Sequence, residues 1–129
     1  MFRVSEEQFN QLVSSAIDNI PKKYGENIKN LAFVVEDEPN GEQRKKLGLG
    51  TRQTLFGLYE GVPLTKRNSG YNLVLPDKIT IFKSPMESSA NNLHELQEQV
   101  NKTLWHEVAH YYGLGHANIK ELEDKHDNR

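Results

Sequence analysis

Apolar residues recur at three- and four-residue spacing from Phe9 through Leu12, Val13, Ala16 and Ile17 to Ile20, behind a Ser5/Gln8 pair of capping-box type. The spacing predicts an amphipathic helix over residues 5–20, stopped by Pro21. After a polar stretch, Leu31-Ala32-Phe33-Val34-Val35 is a short, partly β-branched apolar run, the pattern of a buried strand. Residues 36–41 form an acidic, turn-rich cluster without the ligand spacing of an EF-hand loop, which reads as solvated loop. Residues 42–53 are charged and then glycine-rich. Gly48-Leu49-Gly50 lacks the Gly-Lys-Ser/Thr of a phosphate loop and the further glycine of a dinucleotide fingerprint, so this segment reads as a connecting loop. Residues 54–59 predict a second strand broken by Gly57, and residues 60–63 a turn. Residues 64–76 read as loop with a short extended piece at 71–75.

The alternation in Lys78-Ile79-Thr80-Ile81-Phe82 is that of a half-buried strand with one side toward solvent or a bound peptide. It admits two roles, pairing with an extended substrate by strand addition or serving as an ordinary sheet strand. After Ser84-Pro85 the chain is polar until Asn91 or Asn92, either of which can cap a long helix. The stripe of that helix is Leu93, Leu96, Val100, Leu104, Val108 and Tyr111, and Gly113 is its terminator. Residues 117–123 suit one further short helix before a polar tail over 124–129. There is no internal repeat, low-complexity tract or linker.

Length and composition narrow the options. At 129 residues, 36% of them hydrophobic, the chain predicts one domain over residues 1–129 with a modest core. A net charge of −2 supplies no field that would attract nucleic acid or an anionic membrane. No window approaches the roughly eighteen apolar residues of a membrane span, and the start of the chain has no signal-type apolar run, so a cytoplasmic location and no membrane partner are expected. A monomer is expected. With no cysteine, a metal site would be built from nitrogen and oxygen, drawn from 5 histidines and 18 carboxylates.

The histidines supply the decisive pattern. His106-Glu107-Val108-Ala109-His110-Tyr111-Tyr112-Gly113-Leu114-Gly115-His116 fits H-E-x-x-H-x-x-G-x-x-H at every fixed position. Four residues apart on a helix, His106 and His110 project from nearly one face about 6 Å apart along the axis, where they can grip one zinc ion. They point roughly 120° away from the middle of the apolar stripe, so the packing and metal faces are separate. Gly113 lets the chain break and turn back, bringing His116 to the ion as third ligand and leaving one coordination position open for catalysis. Glu107 would rim the site as a general base acting on water. H-E-x-x-H alone arises by chance in about one such chain in fifty, the extended pattern in about one in twenty thousand. His94 and His126 fit no ligand spacing and read as surface histidines.

The motif is similar to that of the metzincins, but those carry a methionine turn downstream of it, and Met1 and Met86 both lie upstream. A closer resemblance is to the small bacterial zincin-like metallopeptidases. It runs through Val34-Val35-Glu36-Asp37-Glu38-Pro39, Leu55 to Thr65, Leu75 to Phe82, and His106 to His116. The resemblance implies a small α+β zincin-like domain, its mixed sheet of about three to four strands packed on the active-site helix and the N-terminal helix. It also implies zinc as cofactor and a peptide or protein as substrate. Many relatives look to have Asp where His116 stands, which changes the ligand chemistry more than the function. Zinc held by His106, His110 and His116 would activate water for peptide hydrolysis, with Glu107 taking its proton and passing it to the leaving amine. No oxyanion donor beyond zinc is assigned; Tyr59 and Tyr71 are weak candidates for that role. The alternatives are a three-histidine endoribonuclease, against which Glu107 and the absence of a basic balance argue, and a zinc-binding protein without turnover.

Overall fold

Ser5 starts the first helix, α1 (Glu6–Asp18), in a complete capping box: its side chain accepts from the Gln8 amide, and the Gln8 side chain accepts from the Ser5 amide. The computed structural model describes residues 2–25, 28, 30–61 and 77–113. The expected extended piece at 71–75, the helix at 117–123 and the tail lie outside those residues. A one-turn helix α2 (Lys22–Gly25) follows Pro21, and β1 (Leu31–Glu36) is a strand as its apolar run predicts, but as the outer neighbour of β3 all six of its residues are half-buried where a buried strand was expected.

Two further helices, like α2, lie where the sequence reads as loop or featureless polar chain. In α3 (Gly41–Leu47), Asn40 and Gln43 form a second capping box, and Gly48 ends the helix in the left-handed region. Its one strongly apolar residue, Leu47, is exposed, so hydrophobic periodicity could not reveal it. Gln43 is buried and donates to Glu60 Oε1. The second helix, α4 (Lys83–Ser89), buries Pro85, Met86 and Glu87. Proline is tolerated there because the first turn has no intrahelical use for its amide. Glu87 Oε2 receives the Lys83 ammonium at 3.2 Å and the Val4 amide at 2.7 Å, pinning the N-terminal arm.

The second strand, β2 (Gly57–Glu60), is shorter than the expected span over 54–59 and begins at Gly57, where a break was expected. β3 (Asp77–Phe82) is the centre of a mixed sheet ordered β1-β3-β2, parallel to β1 with Leu31 opposite Asp77 and antiparallel to β2 with Gly57 opposite Ile81. This corrects the half-exposed reading. Ile79 and Ile81 on one side of β3 and Thr80 and Phe82 on the other are all fully buried. Both edges of β3 are paired, so it is an ordinary sheet strand with no edge left for a substrate.

The last described element, α5 (Leu93–Tyr112), begins where predicted: Asn92 caps it by accepting from the Glu95 amide. It packs on α1, α4, β2 and β3. Phe9, Val13 and Ala16 of α1 share one core with Leu96, Val100, Leu104 and Val108 of α5 and with Ile79 and Ile81 of β3. Gln97 clips the two helices together, donating to the Leu12 carbonyl and to Asn101. The fold is α+β, a small three-stranded mixed sheet with the long helix packed on it. Among the described residues no helix is long and apolar enough to cross a membrane.

Candidate metal centre

His106, Glu107 and His110 lie in the last two turns of α5; the two histidines face away from its core stripe, whereas Glu107 lies along the stripe's buried side. One potential ligand atom from each lies within 4.8 Å of the others. The two imidazoles are half-buried, with ring centroids 4.7 Å apart and planes at 74°. That arrangement follows from four-residue helical spacing, and neutral imidazole nitrogens converging in this way suit a zinc ion. Gly113 ends the helix with φ 75°, and its amide bonds back to Ala109 and His110. A side chain rarely adopts that backbone conformation, so the expected chain reversal has its glycine in place.

Glu107 is only 8% exposed because β2 lies against it. The approach depends on Gly57: a Cβ there would lie 2.6 Å from Thr103 Cγ2, 3.2 Å from the Thr80 carbonyl oxygen and 3.4 Å from Glu107 Cγ. With the strand this close, the Tyr59 amide donates to Glu107 Oε1 at 2.8 Å. Burial raises the Glu107 carboxyl above its ordinary pKa, and His106 and the Tyr59 amide pull it back part of the way. Beside it opens a pocket of about 260 Å³ lined by Phe56, Gly57, Lys102, Thr103, His106 and Glu107.

A family model described as zincin-like metallopeptidase matches residues 28–126, more than half of the chain. The chain belongs to this zincin-like metallopeptidase family. No curated protein matches it. Zincin-like metallopeptidases act on peptide or protein substrates and use a metal, typically zinc, and the His106, Glu107 and His110 cluster is compatible with that chemistry.

Of the residues singled out in the sequence, the structure brings together His106, Glu107 and His110. His116, His126 and Tyr71 lie outside the described residues. His94 is exposed on the first turn of α5, twelve residues or about 18 Å of helix from His106. Tyr59, considered for oxyanion binding, instead directs its hydroxyl to Asp77 Oδ2 at 2.6 Å. The participant that sequence reasoning missed is the Tyr59 main-chain amide. Gly57 was the available signal, since a glycine inside a strand pattern marks a close backbone approach.

Proposed function

We propose that this chain is a zinc-dependent peptidase in which His106, His110 and His116 hold the metal and Glu107 is the general base, all within a single domain over residues 1–129. The observation that carries the reading is the placement of Glu107: partly desolvated, adjoining two convergent imidazoles, with one carboxylate oxygen held by the Tyr59 amide. His106 and His110 would bind as neutral imidazoles, with His116 reached through the turn at Gly113. When bound, zinc supplies a Lewis acid that polarises the scissile carbonyl and lowers the pKa of water. Glu107 removes a proton from the attacking water and delivers it to the leaving amine. With Oε1 engaged by Tyr59, we assign that transfer to Oε2. The family and the absence of a net basic charge both favour a peptide over a nucleic-acid substrate.

The test is cleavage of a peptide library by wild type and Glu107→Gln, with an RNA substrate run in parallel and zinc measured in both proteins. Glu107→Gln is expected to retain stoichiometric zinc and to lose cleavage by about a hundredfold or more. Full peptidase activity in this variant would refute the general-base role, and RNA cleavage by wild type would replace the peptidase reading. His110→Ala is expected to lose the metal; undiminished zinc would remove His110 from the ligand set.

A further inference from the structure

Something must hold the Glu107 carboxylate in one orientation, and the structure traces that restraint back through Tyr59. The phase of β2 decides which of its amides turn outward. The Phe82 amide donates to the Phe56 carbonyl at 2.8 Å, so residues 56 and 58 bond toward β3, and residues 57 and 59 turn their main-chain groups to the opposite edge. The Tyr59 amide therefore points away from β3 and meets Glu107 Oε1 at 2.8 Å.

Tyr59 is itself fixed at the far end of its side chain. Its hydroxyl donates at 2.6 Å to Asp77 Oδ2, and Asp77 is only 3% exposed, with its own amide bonded to the Asn30 carbonyl. The Tyr59 ring meets the buried Tyr111 ring edge-on, with centroids 6.1 Å apart. Tyr111 follows Glu107 by one helical turn, so two residues four apart on α5 clasp Tyr59, one at its amide and one at its ring.

We propose that Tyr59 is the positioning residue of the general base: its outward amide orients Glu107, and the Asp77 and Tyr111 contacts hold that amide in place. The proposal rests on the peptidase reading of the site. Loosening Tyr59 should slow the chemical step while leaving zinc content and substrate binding intact, because no Tyr59 side-chain atom is assigned to metal or peptide. Tyr59→Phe keeps the ring and the amide but removes the bond to Asp77. It is expected to lower kcat by about tenfold with KM and bound zinc unchanged. Asp77→Asn, which still offers the phenol an oxygen, should retain more of kcat than Asp77→Ala.

Amide hydrogen exchange at residue 59 gives a readout independent of turnover. The Tyr59 amide should be protected in wild type and in Glu107→Gln, and should exchange at least about tenfold faster in Glu107→Ala and measurably faster in Tyr59→Phe. Protection that is the same in Glu107→Ala as in wild type would overturn the contact. An unchanged or raised kcat in Tyr59→Phe, or a rise in KM alone, would overturn the positioning role. If wild type cleaves no peptide, the peptidase reading fails, while the exchange comparison still decides whether Tyr59 holds Glu107.

Discussion

Glu107 sits where a carboxylate loses solvation, and that has a consequence for stability as well as for chemistry. Its carboxyl pKa is raised, first by burial, so the folded chain keeps a proton on Glu107 at pH values where the unfolded chain has released it. Stability therefore falls as pH rises through the interval between the ordinary and the raised values. Glu107→Gln leaves the Tyr59 amide an acceptor and carries no charge to desolvate. In metal-free protein this variant is expected to melt above wild type at about pH 7–8, the gap closing toward pH 4, as followed by calorimetry across pH. A gap independent of pH would contradict that assignment. A second buried polar group is a plain liability: Thr80 Oγ1 has no hydrogen-bond partner among the described residues. Thr80→Val keeps the shape and removes the orphaned hydroxyl, so it should stabilise by about 1 kcal/mol in a denaturant titration. At this scale His106, Glu107 and His110 were legible because side-chain identity and spacing carry their chemistry. The Tyr59 amide was not, since every residue but proline has one and only the strand's phase turns this one toward Glu107.

At the scale of elements, the site depends on how closely β2 can approach α5. Gly57 sets that distance, because a methyl group there would meet Thr103, the Thr80 carbonyl and Glu107 together. Gly57→Ala is expected to cost about 1–3 kcal/mol and to lower peptidase turnover, since the strand carrying Tyr59 must back away from the helix carrying Glu107. Gly41→Ala is the control. It lies exposed in the first turn of α3 with nothing within 4 Å of the added carbon, and it should leave both properties essentially unchanged or slightly improve stability. Equal losses in the two variants, measured by thermal melting and peptide turnover, would refute the close-approach argument. The helices show where pattern reading succeeds. α1 and α5 announce themselves by long apolar stripes and side-chain caps. α3 has almost no apolar face, although Asn40, Gln43 and Gly48 spelled its start and stop. α4 owes its burial to packing, with Glu87 drawn inward by Lys83 and the Val4 amide.

For the whole molecule, a metal bound by the folded chain and not by the unfolded one adds to stability by mass action. Zinc at about a hundred times its Kd should contribute about 2.7 kcal/mol, seen as a raised Tm that a chelator reverses. A melting temperature indifferent to zinc would argue against the site. Sequence by itself determined the two long helices, the β1 strand and the motif that places His106, Glu107 and His110 on one stretch of helix. These depend on local information: caps, apolar periodicity and residue spacing along one element. Tertiary structure alone decided that β3 is a fully buried central strand, that β2 lies against the helix at Gly57, and that the Tyr59 amide reaches Glu107. Those relations join residues tens of positions apart, and their energies come from strand pairing and burial, which no local pattern encodes.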